Sequence, residues 1–412
     1  MRALKRTLLW LLLVAVLVGA LVGGTLFWLY QNTDATDYTP PALTLNGQSL
    51  QPTQYQWHAP VLNGVLYKTD EGGTGTRQDL GTLTEASVPL SLPGDALVAL
   101  PVTGPNGNVL YNTNSASLNE LSFEENGTYV LQATVEIKPQ AGKGYGVFRY
   151  DASFTVNAPP KVEFSSTRLL QGDVLCVRVS GVLDQNASLT LESELPFTPF
   201  VDVPGGKVAF GGMHYNREPG EYAVTVRCGE FSQSENVTVV HRDYPRLYLA
   251  AAQPADASAS QAFRDAMYPL YAMSGTAPAW SGRFSAPCTG AVERVPYGSF
   301  VYEGEAQSLR RSSGVTYGCA ANTPVTAVAP GTVVFADTLA LTGNTVVVDH
   351  GAGVKSYYFG LTALACAKGQ TLEQGAKLGE SGEELFFEVR IGNQSVDPAA
   401  LFSGTSGLYF AQ

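Results

Sequence analysis

The chain has 412 residues, more than one ordinary domain needs and enough for two to four. With 45% hydrophobic and 15% charged residues, most of it can bury cores, and little of it reads as disordered. The net charge of −11, without clusters of Lys or Arg, is a poor match for nucleic acid, whose affinity rests on phosphate contacts; an acidic surface that keeps the protein soluble is the plainer reading.

Residues 7–30, TLLWLLLVAVLVGALVGGTLFWLY, carry no charge. A helix rising about 1.5 Å per residue over that stretch crosses the roughly 30 Å hydrocarbon layer of a membrane. Arg2, Lys5 and Arg6 precede it and Asp34 and Asp37 follow. That asymmetry predicts a single-pass membrane protein with residues 1–6 in the cytoplasm and everything past the 31–40 linker outside. A cleaved signal peptide is the alternative, but its apolar core is usually shorter and no clean A-x-A site follows.

Residues 41–157 contain strand-like runs such as TYVLQATVEI and YDASFTVN. The APP at 158–160 breaks the pattern, and a second, shorter set of strands fills 158–242. ENGTYVLQATV and EPGEYAVTVRC share a turn, a Gly, one residue and then a Tyr entering an alternating strand, which sets Gly127 and Tyr129 beside Gly220 and Tyr222. The pattern is similar to the tyrosine corner of immunoglobulin-like sandwiches, so two Ig-like β-sandwiches are expected. Gly followed by Tyr is also common strand-start chemistry, which gives the same local pattern without that fold.

Residues 243–280 read as a linker with a short helix. SASQAFRDAMYPLYAMSG offers Ser N-caps, sets Ala262, Phe263, Ala266 and Met267 at helical spacing, and has Pro269 to end the helix. The Phe/Met stripe is expected to pack at the edge of the following domain. That domain, 281–403, is again β-rich, with a hairpin turn at Gly351-Ala352-Gly353, and 404–412 is left as a tail. The predicted fold class is therefore mainly β: one transmembrane helix, two Ig-like sandwiches and a C-terminal β domain.

There are five cysteines, Cys176, Cys228, Cys288, Cys319 and Cys366. Outside a membrane disulfides are permitted, and an odd count leaves at least one unpaired within the chain. Cys176 and Cys228 fall in one predicted sandwich and could bridge two strands. In DVLCVRVSG, however, the inward set reads as Leu175, Val177 and Val179, which turns Cys176 outward. Pairing stays open.

The C-terminal domain resembles the LytM-type domain of the M23 family of zinc peptidases, which cut peptide bridges in bacterial cell walls. TPVTAVAPGTVVFA is similar to the family's GTPVxAxxxGxVxxA. GNTVVVDHGAGVKSYYFGL is similar to GxxVxIDHGxGxxTxYxHL, KGQTLEQGAKLGESG to GxxVxxGxxIGxxG, and FFEVRIGNQSVDP to HFEVRxxGxxxDP. WSGRFSAPCTGAV and YGSFVYEG resemble the strands that lead into the family's domain. The matches are collinear over roughly 120 residues, which separates them from an isolated motif.

The resemblance also shows what is missing. The family binds zinc through H-x-G-x-D and the second His of H-x-H. Here those positions read SSGVT and ELFFEVR, so Ser312, Thr316 and Phe386 stand where the ligands belong, and Gly314 keeps its place. Catalytic zinc takes three protein ligands from His, Asp, Glu or Cys, and these positions supply none. The histidines that assist the zinc-bound water correspond to Gly360 and Glu384. A Glu can serve as a general base, but without a metal there is no activated water to serve. The loop before H-x-H also reads as shortened. Of the four histidines, His58, His214, His241 and His350, only His350 falls in this domain, at the family's D-H-G turn, where it is read as structural. No Walker loop, G-x-G-x-x-G or G-x-S-x-G offers another chemistry.

The expectation is a membrane-anchored, extracytoplasmic M23-like pseudopeptidase that binds no cofactor and works as a scaffold or regulator in wall remodelling or in a sporulation or envelope complex. Its partners would be peptidoglycan or an envelope protein, with Ser312, Thr316, Tyr358, Glu384 and Phe386 as candidate groove residues. The alternatives are an active zinc endopeptidase that cleaves peptidoglycan cross-bridges and an adhesive or wall-spacing Ig-like surface protein.

Overall fold

A computed structural model describes residues 2–94, 97–113, 118–183, 187–250, 256–272, 276–304 and 308–410. Helix α1, Arg2–Asn32, is a single apolar helix exposed along nearly all its length, long and apolar enough to cross a membrane.

The chain divides into two compact units, with the main boundary after Pro159. The first holds a four-stranded and a seven-stranded sheet. Its longest pairing joins Gly127–Ile137 to Tyr145–Val156, and strict alternation turns Tyr129, Leu131, Ala133 and Val135 inward beside Phe148, Tyr150, Ala152 and Phe154. The Tyr129 and Phe154 rings stack 5.7 Å apart.

The second unit begins with a sandwich of two four-stranded sheets over residues 161–240. In both sandwiches the repeated tyrosine makes the same bond. Tyr129 Oη donates to the Glu125 carbonyl at 2.6 Å, and Tyr222 Oη donates to the Glu218 carbonyl at 2.7 Å, each four residues upstream.

The strand Val174–Ser180 is buried on both faces. Leu175, Val177 and Val179 fill the sandwich, as their spacing predicts. Val174 and Cys176 point the other way, but not into solvent: with Val208 and Phe210 they join the core of the C-terminal domain, where Phe210 lies 6.0 Å from Trp280. Cys176 and Cys228 also stand on strands of different sheets, with Cys176 facing away from the sandwich interior. Arg242 ties the junction further, with Nη2 2.6 Å from Asp173 and Nη1 bonded to Asp397. The second sandwich and the C-terminal domain therefore share one hydrophobic core.

The C-terminal domain is built on a nine-stranded sheet whose central strand, Lys377–Ile391, pairs with both Val315–Gly318 and Val354–Leu364. The hairpin turn at Gly351, Ala352 and Gly353 holds all three residues at positive φ, at 80°, 48° and 76°. Helix α2, Ala257–Met267, starts at Asp256 rather than at a serine N-cap, and a 3-10 turn over Tyr268–Tyr271 accommodates Pro269. A short helix α3, Pro398–Ser403, follows the sheet and is capped by Asp397, whose side chain accepts from Ala399 N. The residues expected as a tail fold back: Ser406 and Leu408 are buried, and Leu408 belongs to the shared core.

Candidate functional site

Alternation along the sheet decides which residues meet. Leu385, Phe387 and Tyr358 point into the shared core, and Tyr317 packs against it. Their neighbours Thr316, Glu384, Phe386 and Phe359 consequently occupy the opposite face. Thr316 pairs directly with Phe386 across the strands, and Phe386 pairs with Phe359, with ring centroids 5.7 Å apart. Ser312 lies in the turn before the Val315–Gly318 strand. It is 1% exposed, and its Oγ donates to the Gly314 carbonyl at 2.8 Å. Gly314 fits against this corner so closely that a Cβ on it would stand 3.0 Å from both Phe386 Cζ and Glu388 Cβ. Thr316 and Phe386 are therefore direct cross-strand neighbours, and Ser312 lies in the turn that leads into the Thr316 strand.

Their donor chemistry does not fit zinc. Phe386 has no donor atom, Thr316 and Ser312 offer neutral hydroxyls, and the Ser312 hydroxyl is already bonded to a carbonyl. Among the described residues no three His, Cys, Asp or Glu side chains gather in the manner of a metal site. The residues expected at the assisting-histidine positions are Gly360 and Glu384. Gly360 sits at a register shift between Phe359 and Leu361 with φ 81°, a left-handed backbone that a histidine rarely adopts. Glu384 is exposed and pairs with Arg294 Nη1 at 2.8 Å, with more than half of each side chain in solvent.

Two features were not visible in the sequence as read. The groove-bordering segment before Glu384 is not a short loop but part of one continuous strand from Lys377 to Ile391. The other is the seat of α2. Met267, fully buried, packs with Phe263, Leu270 and Tyr271 over Val347, Tyr357, Phe359 and Phe386. Tyr271 stacks under the Arg390 guanidinium at 4.1 Å, and Lys355 Nζ donates to the Ala272 carbonyl at 2.8 Å. The helix expected at the domain's edge instead covers part of the face that carries Phe386. Beside it, Glu388 is buried against Arg390; burial pushes its carboxyl above the usual range, and the guanidinium opposes that shift.

Tyr358 needs correcting as a groove residue. It is fully buried, Val328 N–H donates to its Oη at 3.0 Å, and burial pushes its hydroxyl well above the usual value. It shares a polar core cluster with His350, which is also fully buried, with Nδ1 2.7 Å from the Pro330 carbonyl and Nε2 2.8 Å from Ser356 Oγ. A carbonyl can only accept, so the proton sits on Nδ1 and Nε2 accepts from Ser356. Burial lowers the His350 pKa to about 4.

Comparison with known proteins fits this architecture. Peptidase family M23 matches residues 310–398. An uncharacterised protein of Neisseria meningitidis serogroup B, NMB1333, is 36% identical over 125 residues, 29% of this chain, and the match spans only 20% of that relative's length. A protein assigned to peptidase M23 from Pseudomonas aeruginosa aligns at a TM-score of 0.42 and 20% identity, over 57% of this chain and 94% of its own. The SpoIIQ–SpoIIIAH pore-forming complex aligns at 0.26 and 20% identity, over 29% of this chain and 90% of its own. A nine-stranded sheet carrying the collinear DHG, FEVR and DP segments, and the family match over the same residues, lead to one conclusion: the C-terminal domain of this chain is a Peptidase family M23 domain.

Proposed function

We propose that this protein is a membrane-anchored, extracytoplasmic M23 pseudopeptidase that works by binding rather than by hydrolysis. The observation that carries this reading is the chemistry of Ser312, Thr316 and Phe386, the residues expected at the ligand positions: Thr316 and Phe386 are cross-strand neighbours, the Ser312 hydroxyl is bonded to a carbonyl, and none offers a His, Cys or carboxylate donor. The left-handed backbone at Gly360 and the cover of α2 over Phe359 support it, because both would have to be undone before the family's reaction could run there. The anchor is α1, with the three basic residues before it on the cytoplasmic side. Along the chain, two Ig-like modules would lie between this anchor and the M23 domain. Partners on that side are peptidoglycan or another envelope protein, and the role is that of a scaffold or regulator in wall remodelling or an envelope or sporulation complex.

The test combines metal analysis of the purified protein, a wall-hydrolysis assay, and pull-down of purified peptidoglycan by residues 160–412 and by the whole ectodomain. Metal-free protein without hydrolysis is the expected result. Stoichiometric zinc with hydrolysis would overturn the reading. Peptidoglycan binding that requires residues 41–159 would assign the function to the first sandwich instead.

A further inference from the structure

Cys288 and Cys319 lie on different segments of the M23 domain, yet their sulfurs stand 3.5 Å apart. Neither position is accidental. The Cys288 segment is held along the strand Pro324–Thr326 by Thr326 N–H donating to the Pro287 carbonyl at 2.8 Å. Cys319 follows the Val315–Gly318 strand and is fixed by its N–H donating to the Glu383 carbonyl at 3.0 Å. We propose that these two cysteines are a modification site and form an intramolecular disulfide. The bridge would close the segment 288–319, which holds four strands and the Ser312–Thr316 corner, and would clamp it beside Glu383 and Glu384.

The chemistry needs a two-electron oxidant, which we take to be a disulfide, low-molecular-weight or protein-borne. Cys288 is 6% exposed, and burial together with the neighbouring Cys319 thiol pushes its pKa up to about 12, so it is a poor first nucleophile. The more accessible Cys319 begins. Its thiolate attacks one sulfur of the oxidant, forming a mixed disulfide and releasing one thiolate. Cys288 then loses its proton and attacks the Cys319 sulfur, expelling the second thiolate. Two protein thiols are oxidised and one external disulfide is reduced, and the two protons lost by the protein thiols are taken up by the two released thiolates to give two thiols.

That the bond forms in the cell rests on the extracytoplasmic placement proposed above; that it can form rests on the geometry alone, and the experiment separates the two. The full chain, reduced in detergent, is equilibrated with oxidised glutathione, denatured and alkylated. The expected result is loss of two of the five thiols, a linked peptide pair containing Cys288 and Cys319, and its absence in Cys319→Ser. Reduction of the bridged protein should lower its Tm by about 6–12 °C, as expected for a loop of this length. Five reactive thiols after oxidation, or a link between other cysteines, overturns the proposal. Alkylation in intact cells before lysis then reads the compartment: a pair that closes in vitro but is found reduced in cells contradicts the placement, not the pairing.

Discussion

Restoring zinc ligands probes both the alignment and the claim that only the chemistry has been lost. The variant carries Ser312→His, Thr316→Asp and Phe386→His. Phe386 is only half-buried, with its ring 5.7 Å from Phe359. Its loss therefore costs less than the removal of a fully buried ring, on the order of 2 kcal/mol. Ser312 is 1% exposed in a tight turn. An imidazole there must displace its neighbours, at about 1–3 kcal/mol. The metal-free variant should lose about 3–5 kcal/mol, which at about 2–4 °C per kcal/mol lowers Tm by roughly 6–20 °C. Zinc at a thousandfold excess over its Kd returns about 4 kcal/mol, because it binds the native state and not the unfolded chain. The assay is a melting scan with and without zinc, with far-UV circular dichroism to confirm a native fold. A folded variant with no zinc-dependent rise in Tm would show that the three positions do not converge on one metal. Hydrolysis should stay weak even when zinc binds, since a histidine at position 360 would have to adopt φ near 81° and Glu384 faces Arg294.

His350 is neutral in the fold, with a pKa near 4 against about 6.5 in the unfolded chain. The unfolded chain takes up a proton between those values that the fold refuses. Stability should therefore be full above pH 6.5 and fall by about 3 kcal/mol as pH drops towards 4; His350→Gln should flatten that slope in denaturant titrations, and an unchanged slope would remove His350 as its source. Arg242→Gln leaves Asp173 and Asp397 partly buried without their shared cation and should cost about 2–4 kcal/mol, read as a lower denaturation midpoint; a loss below about 0.5 kcal/mol would mean that the clamp is idle. Met267→Ala should loosen α2 by about 2–4 kcal/mol and raise amide exchange in 257–271 while the sheet stays protected; unchanged exchange would mean that α2 is not held by that contact.

The sheet and the site positions were readable because β alternation and the family's spacing both act locally. Leu175, Val177 and Val179 announced one inward face, and DHG, FEVR and DP fixed the turn and closing strands. What escaped depends on contacts distant in sequence. Nothing in DVLCVRVSG says that the second face of that strand meets Phe210, Trp280 and Leu408 from elsewhere. Tyr358 looked like a groove residue because the motif spans it, but strand parity sends it into the core while Phe359 takes the outer face. The Phe263/Met267 stripe did signal packing, although only the fold shows that its seat is the face bearing Phe386. The left-handed turn at Gly360 is a backbone fact that a Gly permits without announcing.

The shared core also decides how this chain can be cut. A fragment begun near residue 243 or 281, where the sequence changes character, would strip the M23 domain of Val174, Cys176, Val208 and Phe210 and leave Ile391 and Val396 facing water. It would also remove Arg242 from Asp397, the cap of α3. Such a fragment invites aggregation, and its failure to bind a wall or a partner would say nothing about the intact protein. The natural seam is Pro159/Pro160, and on its C-terminal side the sandwich behaves as the M23 domain's second wall, inherited with it as one foldable piece.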